Sequence, residues 1–312
     1  MTISVLRTTD AWWVRTESGA ARIDTTAVTT GDLLADRAAI EAARTSSDTV
    51  AADTLELISP VTTPCRVIAQ MTNYRSHVKD SGLDPRTIPL TFFRKSSVSI
   101  TGPFGDIVKP GHVGLLDYEV EIGLVIGRHV TAGTTITATD LPGIVAGLVV
   151  TNDISARDIQ LPQTQFYEAK SYPTFTPVGP RLTVLTGNEI DRFGDLRLRL
   201  RVNGELRQDM RVEDDIIYRP LQALRALSRF QNLAPGDLVL TGTPAGTALT
   251  APPKPIEIIG SLLPPAVKWK AFFKRQAANP KYLQAGDIVE ASIATDDGAL
   301  DLGIQRNTVV HS

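Results

Sequence analysis

The chain has 312 residues, with 32 Lys and Arg against 34 Asp and Glu and a formal net charge of −2. At ~150 residues per domain this allows one large domain or two unequal ones, and the near balance of charge lacks the basic signature of a nucleic-acid binder. One cysteine, Cys65, excludes an intramolecular disulfide framework, and with only four histidines it leaves little material for a zinc site.

Arg7 and Asp10 interrupt the first ten residues, so no signal-peptide apolar region fits there. Short strands are predicted over 3–7, 12–15 and 21–23, followed by one amphipathic helix over 33–44. A polar stretch then leads into Ser59-Pro60-Val61-Thr62-Thr63-Pro64, which marks a boundary between a small N-terminal domain (1–62) and a larger domain (63–312). The larger part is strand-rich. A strand is predicted over 66–71 and another over 117–127, alternating at first and then continuously apolar. A buried strand over 144–150 lies in the longest apolar stretch, which is too short to span a bilayer. Hairpins are predicted around Asn203-Gly204 and Asp297-Gly298, and an amphipathic helix over 219–230. Gly-Asp followed by two apolar residues recurs at Gly105, Gly236 and Gly286, each time as a turn feeding a strand. The fold class is therefore α+β and strand-rich, and the chain reads as a cytoplasmic protein with neither a nucleic-acid nor a membrane partner.

Glu119 and Glu121 sit two apart in a predicted strand, so their side chains share a face. Two like charges beside an apolar run are costly without a cation. Asp153 follows directly on the 144–150 strand, and three carboxylates from two strand ends can converge. An all-oxygen set favours Mg²⁺, Mn²⁺ or Ca²⁺ over zinc. On the E-x-E spacing alone, two solvent-facing glutamates fit as well.

The surrounding motifs decide between these readings. Asn73-Tyr74-Arg75-Ser76-His77, Asp117-Tyr118-Glu119-Val120-Glu121, Asn152-Asp153-Ile154-Ser155-Ala156-Arg157-Asp158, Lys170-Ser171, Gly179-Pro180 and Thr241-Gly242-Thr243-Pro244-Ala245-Gly246 occur in one order. In this the chain resembles the fumarylacetoacetate hydrolase family over about 64–310. The resemblance implies a mixed β-sandwich or roll with a small N-terminal domain, a homodimer, and Mg²⁺ or Mn²⁺ held by Glu119, Glu121 and Asp153. It implies His77 as the base that activates water, with Asp80 in place of the family's Glu three positions later. It further implies Lys170 as a cation for a developing enolate or a carboxylate, and Gln160 as a substrate contact. Thr243, in a turn that ends a strand, offers a hydroxyl and an N–H to a substrate carboxylate, and Tyr74 either packs structurally or lines the substrate pocket. Arg157 is expected to brace the metal loop, whereas His112, His129 and His311 read as surface residues.

The expected activity is a metal-dependent hydrolysis of a carbon–carbon bond in an acylpyruvate or related β-diketo acid, as in the breakdown of aromatic or cyclic compounds. The alternative is an isomerase or decarboxylase of the same superfamily, acting on a 2-oxo or 2-hydroxy-diene acid or oxaloacetate. A third reading is a β-rich scaffold without catalysis. In either enzymatic case the partner is a small anionic keto acid. An insertion over about 251–283 carries Lys254, Lys268, Lys270, Lys274, Arg275 and Lys281 against one acid, Glu257. Its Trp269, Phe272 and Phe273 form a helical stripe. It fits a surface helix or a lid over an anionic-substrate site.

Overall fold

The computed structural model describes residues 2–163, 166–251 and 264–312. Two sheets dominate it. The first has nine strands, in the order Ala20–Arg22, Trp12–Arg15, Ile3–Arg7, Leu182–Val184, Val145–Asn152, Val120–Ile126, Leu238–Leu240, Val67–Met71 and Thr91–Lys95. The second has five, in the order Glu205–Arg211, Leu196–Val202, Ile288–Thr295, Asp301–His311 and Ile107–Lys109. Most pairings are antiparallel, but Leu238–Leu240 runs parallel to Val67–Met71 and Ile107–Lys109 parallel to Asp301–His311.

The sheets pack face to face. Ile122, Leu124, Leu148 and Val150 from the larger sheet share one buried cluster with Leu198, Leu200, Ile293 and Leu302 from the smaller. The larger sheet buries its other face as well: Val5, Val67, Val125, Val149 and Leu182 pack with Leu33, Leu34 and Ile40. A strand covered on both faces reads as a continuous apolar run rather than an alternating one. Val120–Ile126 and Val145–Asn152 are buried at every position for that reason. The strands of the smaller sheet alternate, as in Leu196–Val202 and Ile288–Thr295, because only their inner face is covered.

The N-terminal segment is built into this frame. Ile3, Ser4 and Val5 pair with Val184, Thr183 and Leu182, so residues before Ser59 share both a sheet and a core with those after it. The single helix predicted over 33–44 is two, Thr30–Ala35 and Arg37–Arg44. Asp36 leaves helical geometry between them, and its Oδ1 accepts the Ala39 N–H to cap the second helix. The hairpins stand as predicted, with Asn203 at φ 52° and Gly204 at φ 80° in the tight turn of the first. The strand predicted over 117–127 is interrupted: Leu116–Asp117 pairs with Ser155–Ala156, and Val120–Ile126 begins anew after Tyr118 and Glu119.

Lys254 and Glu257 of the insertion lie outside the described residues. Its aromatic stripe falls on the helix Pro265–Gln276, where the Trp269 ring stacks on Phe273 at 5.6 Å and Phe273 packs against the main core. Lys268, Lys270, Lys274 and Arg275 are exposed on the same helix.

The segment after Leu238–Leu240 is held tightly against the smaller sheet. Gly246 has φ 104°, and a β-carbon there would meet the Arg207 carbonyl oxygen at 2.0 Å. Both the backbone conformation and the space demand glycine. Gly246→Ala is expected to destabilise the fold by ~1–3 kcal/mol or more, read as a lower urea midpoint with unchanged slope. An unchanged midpoint would show that this loop relaxes freely.

Candidate active site and metal centre

The site forms where strand ends meet. Glu121 lies in Val120–Ile126 and Asp153 directly after Val145–Asn152, and these strands are antiparallel neighbours with Glu121 opposite Thr151. The Asp153 N–H donates to the Glu119 carbonyl at 2.8 Å, and Asn152 Oδ1 accepts the Glu119 N–H at 2.9 Å. These bonds fix the irregular step at Glu119 and turn its side chain towards the other two. Glu119, Glu121 and Asp153 each bring a carboxylate oxygen within 4.8 Å of the others, and all three are buried.

Buried carboxylates need compensation, and cations supply most of it. Lys170 Nζ donates to Glu119 Oε2 at 2.6 Å and to Asp153 Oδ2 at 2.7 Å. Arg157 donates from Nη2 to Glu119 Oε1, from Nε to Asp117 Oδ2 at 2.8 Å and from Nη1 to Gln160 Oε1 at 2.7 Å. Lys95 Nζ donates to Asp153 Oδ1, and to the Phe175 carbonyl at 2.9 Å. Among the described residues no ammonium donates a hydrogen bond to Glu121; its Oε2 accepts the Gly242 N–H at 2.7 Å. Asp117 ties the cluster to the chain above it, accepting the N–H groups of Tyr118, Ala248 and Leu249 as well as Arg157 Nε.

These contacts separate the glutamates electrostatically. Burial favours a protonated Glu119, but Arg157 and Lys170 outweigh it and hold its pKa far below the ordinary value. Burial pushes Glu121 well up, and the Asp153 and Glu119 charges add to that push. Burial lowers Lys95, against the attraction of Asp153. Burial also acts to lower Lys170, but Asp153 and Glu119 prevail and raise it.

A cavity of about 430 Å³ opens beside the carboxylates. Its wall includes His77, Gln160, Lys170 and Thr243 together with all three acids, so seven of the nine residues named from sequence meet there. Thr243 is pinned, its hydroxyl donating to the Val120 carbonyl and accepting from Gln208 Nε2. Two named residues stand elsewhere. Tyr74 is fully buried in the main core and is not part of the wall. Asp80 is exposed at the end of the helix Arg75–Asp80, and among the described residues it makes no hydrogen bond to His77. His77 Nδ1 is buried without a hydrogen-bond partner among the described residues, and burial lowers the imidazole pKa below its usual 6.5. His112, His129 and His311 are exposed, as expected.

Lys95 escaped sequence reasoning. It sits beside Arg94 at the end of a half-buried strand, and a basic pair there reads as solvent-facing. The one available signal was its position in the strand next to Val67–Met71, the strand that leads to His77.

The donor set fits a hard divalent cation. Three buried oxygen donors converge, and burial and two neighbouring carboxylates press on Glu121 more strongly than Lys170 relieves it. The sign of the pH effect follows. With metal absent, the folded protein keeps a proton on Glu121 that the unfolded chain releases near pH 4.5, so this residue costs stability as pH rises above that value. In the presence of a chelator, Glu121→Gln should therefore raise the melting temperature relative to wild type, and more at pH 7.5 than at pH 5. Added Mg²⁺ or Mn²⁺ should raise the wild-type melting temperature and leave the variant's nearly unchanged. A variant that melts lower throughout, or that responds fully to metal, would remove Glu121 from the metal set.

Residues 66–310 match the family described as fumarylacetoacetate (FAA) hydrolase C-terminal. The chain is 36% identical over 197 residues to the mitochondrial oxaloacetate tautomerase Fahd2a of Rattus norvegicus, an alignment covering 63% of this chain and 61% of the rat protein. It is 38% identical over 206 residues to the oxaloacetate tautomerase YisK of Bacillus subtilis, covering 64% and 66%. Among solved structures it is similar to a probable 2-hydroxyhepta-2,4-diene-1,7-dioate isomerase from Mycobacterium abscessus, with 29% identity, TM-score 0.75 and coverage of 100% and 99%. It is also similar to a fumarylacetoacetate hydrolase from Exiguobacterium antarcticum, with 25% identity, TM-score 0.71 and full coverage of both chains. The motif order, the α+β fold of two packed sheets and the match over most of the chain agree, and the chain belongs to the fumarylacetoacetate hydrolase family.

Proposed function

We propose that this protein is a divalent-cation-dependent tautomerase or isomerase of small oxo acids, with oxaloacetate as the first substrate to test. The relatives' names favour this alternative over the carbon–carbon hydrolysis expected from the motifs. The observation that carries it is the state of His77. Water attack on a ketone calls for a base oriented and strengthened by a carboxylate. Here Asp80 is turned to solvent, Nδ1 has no partner among the described residues, and burial lowers the imidazole pKa. Such an imidazole is neutral at pH 7, suited to exchanging a proton with substrate carbon.

Tautomerisation needs only that exchange. A C–H bond next to the 2-oxo group breaks, its electron pair becomes the C=C bond, and the oxo oxygen gains a proton; no water is consumed. Glu119, Glu121 and Asp153 would hold a divalent cation, which would supply Lewis-acid polarisation of the oxo acid. Lys170, on the cavity wall, offers a buried positive charge to the oxygen that gains electron density. Gln160 and the Thr243 region define the polar side, and Met71, Leu83, Phe93, Leu161, Phe166 and Leu249 the apolar side. Four buried carboxylates, including Asp117, stand against the three cations Lys95, Lys170 and Arg157. A divalent cation reverses that excess, which favours an anionic substrate.

No helix among the described residues is long and apolar enough to cross a membrane. The rat relative's name places that protein in mitochondria.

The test is an assay of enol–keto interconversion of oxaloacetate with Mg²⁺ or Mn²⁺, beside a panel of acylpyruvates with products identified. Acceleration of the interconversion with the carbon skeleton intact is expected. His77→Ala should lower it ~10²–10⁴-fold. In wild type, kcat/KM should fall at acidic pH, where the imidazole takes up a proton, with a midpoint below the ordinary histidine value of 6.5. Release of pyruvate and a carboxylic acid from an acylpyruvate, with no effect on oxaloacetate, would restore the hydrolase reading.

A further inference from the structure

The two lysines that meet Asp153 are held in different ways. Lys95 is fully buried, lies outside the cavity wall, and divides its ammonium between Asp153 Oδ1 and the backbone carbonyl of Phe175. That second contact belongs to the fold and does not depend on what the site contains. Lys170 lines the cavity, and the hydrogen bonds of its Nζ run to Glu119 Oε2 and Asp153 Oδ2, both carboxylates of the triad. The outer oxygens of the same two residues, Glu119 Oε1 and Asp153 Oδ1, are already engaged by Arg157 and Lys95. Arg157 is in turn anchored by Asp117 and Gln160. The ammonium of Lys170 thus bridges the one remaining oxygen of each residue.

From this we infer that Lys170 is a displaceable placeholder for the divalent cation, whereas Lys95 is a fixed positioning residue that aims Asp153 at it. The inference rests on the metal-site reading above. Two positive charges compete for one pair of oxygens, and a divalent cation prevails over a single ammonium when the carboxylates converge. The Phe93 ring lies 5.4 Å from Lys170 Nζ and offers the displaced ammonium an aromatic face at the cavity wall. Metal binding then does two things at once: it fills the triad and releases a desolvated ammonium towards the substrate space. Lys95 cannot follow, because moving it would abandon the Phe175 carbonyl and leave a buried charge unpaired.

The two roles predict opposite signs. Metal-free protein is titrated calorimetrically with MnCl₂ alone, without substrate, for wild type, Lys170→Met and Lys95→Met. Removing the competitor should tighten Mn²⁺ binding by Lys170→Met ~10-fold or more. Removing the support of a ligand should weaken binding by Lys95→Met ~10–100-fold. Melting temperatures add a second readout: both variants should melt below wild type with a chelator, and Mn²⁺ should restore Lys170→Met but not Lys95→Met. If Lys95→Met does not accumulate as folded protein, Lys95→Gln, which keeps a donor for the Phe175 carbonyl, carries the same comparison. Unchanged or weaker Mn²⁺ binding by Lys170→Met overturns the placeholder role, and unchanged or tighter binding by the Lys95 variant overturns the positioning role. Wild-type protein that binds no Mn²⁺ overturns the metal reading and this inference with it.

Discussion

The arrangement depends on one constraint: four carboxylates are buried together, and everything around them is placed to make that tolerable. An isolated buried carboxylate would take up a proton rather than remain charged. Lys170, Arg157 and Lys95 pair with Glu119, Asp117 and Asp153, and Glu121 accepts the backbone N–H of Gly242. The site is consequently built from the middle of the fold. Val120–Ile126 and Val145–Asn152 are central strands covered on both faces, so the carboxylates at their ends are held by fully buried strands.

Much of this was legible in the sequence, for identifiable reasons. Glu119, Glu121 and Asp153 adjoin apolar runs, and a charge at the end of a buried strand has few places to go. The hairpin turns were legible because Asn-Gly and Asp-Gly specify backbone conformations that few other pairs adopt. Lys95 was not, because what holds it inside is the Phe175 carbonyl, 80 residues away in the chain. The break at Asp36 was hidden because Asp is tolerated within a helix, and only the capping bond to Ala39 shows that it starts a second one.

The His77–Asp80 pairing shows the limit of spacing arguments. Residues three apart on a helix lie on neighbouring positions, but which of them turns inward depends on what the helix packs against. In Arg75–Asp80 it is Val78 that is buried, and His77 reaches the cavity while Asp80 ends the helix in solvent. The Asp80 carbonyl is nevertheless engaged. It accepts the Ala251 N–H, joining this short helix to the strap that Asp117 fastens through Ala248 and Leu249. The residue contributes through its backbone, which side-chain motifs do not register.

The pairing of Ile3–Arg7 with Leu182–Val184 has a consequence for how the chain can be divided. Leu182–Val184 is three residues long and buried throughout, with the N-terminal strand on one side and Val145–Asn152 on the other. A fragment starting where the family match begins, at residue 66, would keep every group of the site but bare that strand's outer row of N–H and C=O groups. Such an edge recruits a strand from another molecule. The first residues of the chain thus cover a seam of the sheet that carries the site, from a position remote in sequence from the residues they serve.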